Sequence, residues 1–215
     1  MNILAENNQI LFQRIQPSDI EQTATCIYEV FTNFELITKA LKISFAELHS
    51  VVLPICKKAV DDELSIIAKG KETGEVVGFI ISEDFITVSL EAQENIDKKF
   101  EAYFYLLSEL EENYRSRHPV KARQVLHISL LGVQEKYTKK NIATTLVREN
   151  LSLAKHHNFE TAIAEATAAV SQHIFRNLGF TEEFAIEYKS YKFKGEQVLS
   201  SIENPPSCLL MSSPI

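Results

Sequence analysis

No apolar run in these 215 residues approaches the ~20 needed to cross a bilayer, which argues against a membrane-spanning class. The first nine residues, Met-Asn-Ile-Leu-Ala-Glu-Asn-Asn-Gln, have no basic flank leading into an apolar core, so a secretory leader is not expected. Cysteine is sparse. Cys26, Cys56 and Cys208 lie far apart and share no metal spacing, as reduced thiols of a cytoplasmic protein would. No His/Cys spacing makes a zinc site, and no metal is expected. An excess of positive charge is also missing. The formal net charge of −7 argues against nucleic acid or an anionic membrane as the main partner, whereas a cationic substrate fits an acidic chain. There is no internal repeat, no low-complexity tract and nothing like Gly-x-Ser-x-Gly.

What is present is an ordinary core-forming composition, 45% hydrophobic and 24% charged, read as one domain over residues 1–215. Ile10 to Ile15 alternates like a strand. Pro17-Ser18-Asp19 starts a helix carrying Ile20, Ala24, Ile27, Val30 and Phe31 at helical spacing and ending near Asn33. A second helix runs from Ser44 or Phe45 to Ala59, with Pro54 inside it as a kink or an end. Leu64 to Lys69 and Val76 to Ser82 form an antiparallel hairpin. Asn95 to Arg115 is a third helix, with Ile96, Phe100, Tyr103, Phe104, Leu107, Leu110 and Tyr114 on its apolar side. Thr161 to Ala166 is a short strand, and Ala168 to Leu178 a helix closed by a left-handed Gly179. Phe180 to Tyr191 is a strand region, and Cys208 to Met211 a last apolar run that could pair with a second subunit, leaving monomer and homodimer both open. The order predicts an α/β (α+β) sandwich: a mostly antiparallel, mixed sheet of six to seven strands with helices on both faces.

The central unit is Val125 to Leu146. An apolar, β-branched strand passes through a short polar loop into a helix with Ile142, Ala143, Leu146, Val147, Leu151 and Ala154 on one face. The free N–H groups at such a helix start, and its dipole, suit a phosphate. Lys136, Lys139 and Lys140 add local positive charge.

Residues Val125 to Phe180 resemble the GCN5-related N-acetyltransferase (GNAT) superfamily. Its coenzyme A loop reads roughly Arg/Gln-x-x-Gly-x-Gly/Ala after a strand ending in Val; here that register falls on Thr138-Lys139-Lys140-Asn141-Ile142-Ala143. Thr138 replaces Arg or Gln, and Lys139 and Asn141 stand where glycines are usual. Ser171-Gln-His-Ile-Phe175-Arg-Asn-Leu-Gly-Phe180 is similar to the superfamily's following motif. Phe34-Glu35-Leu36, Leu126-His127-Ile128, Tyr188-x-x-Tyr191 and Pro205-Pro206 narrow the resemblance to the arylalkylamine (dopamine-like) branch.

The resemblance implies transfer of an acetyl group from acetyl-CoA to a small primary amine, arylalkylamine or polyamine-like, by direct attack in a ternary complex. It implies a coenzyme A core at about 125–180, with Leu131, Gly132 and Val133 presenting backbone to the pantetheine arm. It puts Thr138, Lys139, Lys140, Asn141, Ile142, Ala143 and Thr144 at the pyrophosphate, with Asn141 left-handed or nearly so, and adds His173 and Phe175 to the cofactor contacts. Glu35 is the implied base, acting directly or through a water, with Phe31 and Phe34 as an apolar wall; His127 is the alternative base or a structural histidine. Phe175 stands where many members have a tyrosine, so Ser171, with Thr167 four residues earlier, becomes the candidate proton donor to the leaving thiolate. Protein N-acetylation, or a weakly catalytic CoA-binding module, are the alternatives.

Overall fold

The computed structural model describes residues 3–7, 9–87 and 98–215. Eight strands form one sheet: β1 (Ile3–Glu6), β2 (Ile10–Arg14), β3 (Ile66–Gly70), β4 (Val76–Asp84), β5 (Val125–Val133), β6 (Thr161–Ala166), β7 (Thr181–Glu187) and β8 (Ser207–Pro214). The order across the sheet is β1-β2-β3-β4-β5-β6-β8-β7. Among the described residues, only β5 and β6 pair in parallel, joined by a helical crossover; the other neighbours are antiparallel.

The helices are α1 (Ile20–Phe34), α2 (Leu36–Ala40), α3 (Phe45–Asp62), α4 (Lys98–Arg117), α5 (Ile142–His156) and α6 (Ala169–Asn177). Strand alternation sorts them onto two faces. Leu126, Ile128, Ala162 and Ala164 turn toward Leu146, Val147 and Phe175 of α5 and α6. On the other face, Ile67 and Phe79 meet α1 and α3, while Val125 and Ile163 meet Ile37 of α2 and Leu106 and Leu110 of α4.

The expected mixed sheet with helices on both faces is found, with β1 as an additional edge strand and α2 as an additional short helix. The start of the third expected helix, Asn95 and Ile96, lies outside the described residues. Pro54 does not end α3, which continues to Asp62. An interior proline costs roughly 3 kcal/mol. Leu48 and Val52, both buried on the same helix, contribute roughly 1.5–3 kcal/mol each and outweigh it. The C-terminal apolar run is not a free edge. Cys208 to Met211 lies in β8, inserted between β6 and β7 and bonded on both sides, so it has no edge to offer a second subunit. Among the described residues, no helix is long and apolar enough to cross a membrane.

Candidate active site

The middle of the sheet comes apart at one place. β5 and β6 pair only from Val125↔Thr161 to Ile128↔Ala164. Beyond that point β5 stays on β4 as far as Val133, and β6 stays on β8 as far as Ala166. A bulge marks the separation: Ile81 pairs with Leu130 and Ser82 with Ile128, leaving Ser129 as the extra residue. A bulge bends its strand and re-aims the residues beyond it. Facing reverses accordingly, since Leu130 packs with the α1 and α3 layer while Leu131 and Val133 pack with the α5 layer. The result is a wedge whose β5 wall, Ser129 to Val133, has an edge of main-chain groups not paired with β6. Backbone N–H and C=O groups in a sheet interior need partners, and an extended amide-bearing chain would supply them. Gly132 in that wall is buried, and a Cβ there would come 2.5 Å from the Phe79 ring and 2.8 Å from Val30.

The wedge opens toward the loop before α5. Lys139 (φ 61°) and Asn141 (φ 58°, ψ 16°) are both left-handed. Asn141 stands at a glycine position of the family pattern, so the backbone path is kept without the residue that adopts it most easily; Asn tolerates it better than Lys. Thr138, Lys139, Lys140 and Asn141 are exposed. The first intrahelical bond runs from Thr145 N–H to the Asn141 carbonyl at 3.0 Å. The N–H groups of Ile142, Ala143 and Thr144 therefore lie in the turn that a helix leaves without internal acceptors. The Lys136 and Lys140 ammonium groups sit 5.3 and 5.1 Å from the Tyr137 ring centre. A groove of about 800 Å³ runs along the α1 side of this loop, lined by Glu21, Glu29, Glu75 and Glu135 against Lys136. That charge balance repels phosphate.

On the α4 side of the wedge lies a buried polar cluster. Glu35 joins α1 to α2 and is 8% exposed. Its Oε2 accepts the Thr38 N–H at 2.5 Å as the N-cap of α2, while Oε1 is buried with no partner. The cap holds the carboxylate still and leaves one oxygen aimed inward. Burial, then Glu35, Cys208 and Glu165, push the Tyr103 hydroxyl well above its ordinary pKa. Burial and Glu165 do the same to the Cys208 thiol, with a smaller contribution from Glu35. Glu35, Glu165, Tyr103 and Cys208 thus share one interior. The Tyr188 hydroxyl donates to the Thr167 carbonyl at 2.7 Å, which makes this tyrosine a strut between β6 and the segment after β7.

His127 is a candidate from the sequence; its pairing with Glu165 is what residue patterns do not reveal. Across β5 and β6, His127 Nε2 lies 2.7 Å from Glu165 Oε2. On its other side Nδ1 lies 3.5 Å from Glu83 of β4, which in turn accepts from Lys58 of α3 at 3.0 Å. Burial opposes the imidazolium, but Glu165, Glu83 and Glu111 outweigh it and hold the His127 pKa well above 6.5. Burial likewise opposes the Glu83 carboxylate, and His127 and Lys58 still bring its pKa below the usual value. Burial and then Glu165 push Glu111 up to about 7. Ligand atoms of Glu111, His127 and Glu165 lie within 4.8 Å of one another, close enough for a metal in principle.

The expected residues separate into groups. Leu131, Gly132 and Val133 form the wedge wall, and Thr138 to Thr144 form the loop and helix start. Ser171 sits in the first turn of α6, donating to the Ala168 carbonyl at 2.8 Å and accepting its N–H at 3.3 Å; Thr167 lies just before it. Phe175 departs from its expected role: it is 2% exposed and packs on Phe180 in the α5 core, so its ring has no face for a cofactor. His173 is exposed and bonded to Asn177 at 2.9 Å. Phe31 packs against Phe79 in the core, whereas Phe34 and Phe45 are 45% and 55% exposed. Tyr188 and Tyr191 are core residues of the α4 side.

The acetyltransferase (GNAT) family model matches residues 34–180, about two thirds of the chain and all of the wedge, loop and α6. No protein of curated function matches the chain. Among solved structures, arylalkylamine N-acetyltransferase 2 from Aedes aegypti is similar at 25% identity over 97% of this chain and 100% of that one, with a TM-score of 0.80. The C-terminal condensation domain of Ebony in complex with beta-alanyl-dopamine superposes at a TM-score of 0.87, with 17% identity over 96% of this chain and 99% of that one. The Drosophila melanogaster polyamine N-acetyltransferase superposes at 0.76, with 18% identity over 96% and 99%. The chain is therefore an enzyme of the acetyltransferase (GNAT) family, close to its arylalkylamine N-acetyltransferase branch.

Proposed function

We propose that this protein transfers the acetyl group of acetyl-CoA to a small primary amine by direct attack in a ternary complex. The observation that carries the reading is the wedge: two parallel strands that part after Ile128 and Ala164, with an exposed helix start at one side and a buried, half-free carboxylate at the other. In this reading the pantetheine amides bond to the Ser129–Val133 edge. The pyrophosphate rests on the N–H groups from Thr138 to Thr144, with Lys139 or Lys140 adding charge.

Glu35 takes a proton from the acceptor ammonium, directly or through a water, because a protonated amine has no lone pair for the thioester. His127 suits that step poorly, since its carboxylate neighbours keep it as the imidazolium. Ser171, beside Thr167, supplies the hydrogen bond to the departing thiolate by turning its hydroxyl from the Ala168 carbonyl. An interior holding Glu35, Glu111 and Glu165 favours a cationic acceptor, which accords with the arylalkylamine and agmatine substrates in the names of similar structures. The three buried free thiols fit a reducing, cytoplasmic setting.

Calorimetric titration with acetyl-CoA, followed by thiol release across a panel of arylalkylamines, polyamines and peptides, tests this reading. Binding with turnover of small amines is expected. Turnover of peptides alone would redirect it to protein acetylation, and binding without turnover to a non-catalytic CoA module.

A further inference from the structure

Acetylation of an ammonium removes two protons from nitrogen. The N–C bond forms, the C–S bond breaks, one proton ends on the coenzyme thiol, and the other must reach solvent. We propose that the proton Glu35 takes from the amine passes to Glu165, whose Oε1, like that of Glu35, is buried without a partner, and leaves through His127 and Glu83, crossing three adjacent strands from the wedge to the surface beside Lys58. The proposal rests on the acyl-transfer reading above.

The geometry is a row on one face of the sheet. Glu165 is the first residue of β6 beyond its last pair with β5, so it stands at the point where the strands part. Its Oε1 is buried without a partner, and its side chain is only 4% exposed. Oε2 meets His127 Nε2 at 2.7 Å. His127 pairs directly with Glu83 across β5 and β4; its buried Nδ1 has no hydrogen-bond partner, and Glu83 Oε1 lies 3.5 Å from it. Glu83 is 18% exposed, and Lys58, which binds both Glu83 and Asp62, is 36% exposed. The row therefore begins at an enclosed oxygen and ends in water.

A structural ion pair needs one carboxylate per imidazolium. Here each ring nitrogen faces its own carboxylate, one inward and one outward. A doubly protonated ring can give its Nδ1 proton to Glu83 and be refilled at Nε2 from Glu165 without rotating. Protonation of Glu165 also removes the strongest charge holding the imidazolium proton, so arrival at the inner end releases the outer end. Other charged groups facing His127 come from α4: Glu111 and Arg115. Arg115 donates to the Phe85 carbonyl at 2.7 Å and stacks on the Phe85 ring, which keeps it beside the row rather than in it. Lys58 cannot accept a proton; it keeps Glu83 ionised and ready to receive one.

The test is steady-state thiol release by the full-length enzyme with its best amine, in wild type, His127→Gln, His127→Ala and Glu83→Gln. The expected result is a kcat roughly tenfold or more below wild type in each variant, with the acceptor KM within about threefold. Added imidazole should restore His127→Ala in proportion to its concentration, which lost packing alone would not allow. Glu83→Gln, at the solvent end, carries the same kcat-against-KM readout should the His127 variants fail to fold. Variants within twofold of wild type, or a folded His127→Ala whose loss no buffer repairs, overturn the path and leave the acyl-transfer reading standing. A wild-type enzyme that acetylates no amine overturns both.

Discussion

Glu165 and His127 meet across the sheet's parallel strand pair, 2.7 Å apart and with side chains 4% and 5% exposed. Such a buried pair stabilises the fold only over a defined pH range. The folded-state pKa of His127 is raised, so its contribution is full below about pH 6.5 and fades as pH climbs through the raised value. Glu83 is lowered, so its contribution is present above about pH 4.5 and fades as pH falls through the lowered value. The stability difference between wild type and His127→Gln should be largest from about pH 5 to neutrality and shrink at alkaline pH. Urea unfolding at several pH values measures it.

Glu111 gives the opposite slope. Its carboxyl binds its proton more tightly in the folded state, with a pKa near 7 against an ordinary 4.5. Ionisation above neutrality therefore opposes folding. Glu111→Gln should stabilise the protein at pH 8 by on the order of 2 kcal/mol and do little at pH 4. Equal effects at both values would show that Glu111 ionises freely.

The capping of α2 by Glu35 and its proposed role as base are separable. Glu35→Gln keeps an oxygen that can cap α2 but loses the base, so kcat/KM should fall by about 10²–10⁴ with little change in Tm. Glu35→Ala loses the cap as well and should cost about 1 kcal/mol more stability. Full activity of Glu35→Gln across pH would remove Glu35 from the reaction.

Lys139 and Asn141 occupy backbone conformations that cost most side chains roughly 1–2 kcal/mol. Lys139→Gly should keep the loop and raise stability slightly. Asn141→Val should distort the start of α5 and weaken acetyl-CoA binding more than it weakens the fold. Calorimetry beside thermal unfolding separates the two effects.

Gly132→Ala tests the wedge wall. The added Cβ would meet the Phe79 ring and Val30, both buried in the α1 layer, with no room to yield. The expected cost is about 1–3 kcal/mol by denaturant unfolding, with looser acetyl-CoA binding.

Much of this was legible in the chain because the signals are local. Thr161 to Ala166 is a short, mostly apolar strand, α5 shows its apolar stripe, and Gly179 follows α6 at φ 91°. The loop from Thr138 to Ala143 could be placed because strand, polar loop and helix start are contiguous. Phe175 could not be separated from a cofactor contact, since an aromatic on a helix reads the same whether its partner is Phe180 or a ligand. The apolar run of β8 pointed outward in sequence and proved central, because pairing with β6 depends on residues some 45 positions away. His127 could be named from the sequence, but its carboxylate partners Glu165 and Glu83 could not, for the same reason. The three come from three strands, and nothing in the residues around each one records its neighbours across the sheet. Sequence by itself determined most of the elements, the strand–loop–helix unit and the family. Only the tertiary structure decided where β5 leaves β6, which carboxylates are buried together and how charge is balanced among them, because strand register and burial are properties of distant contacts.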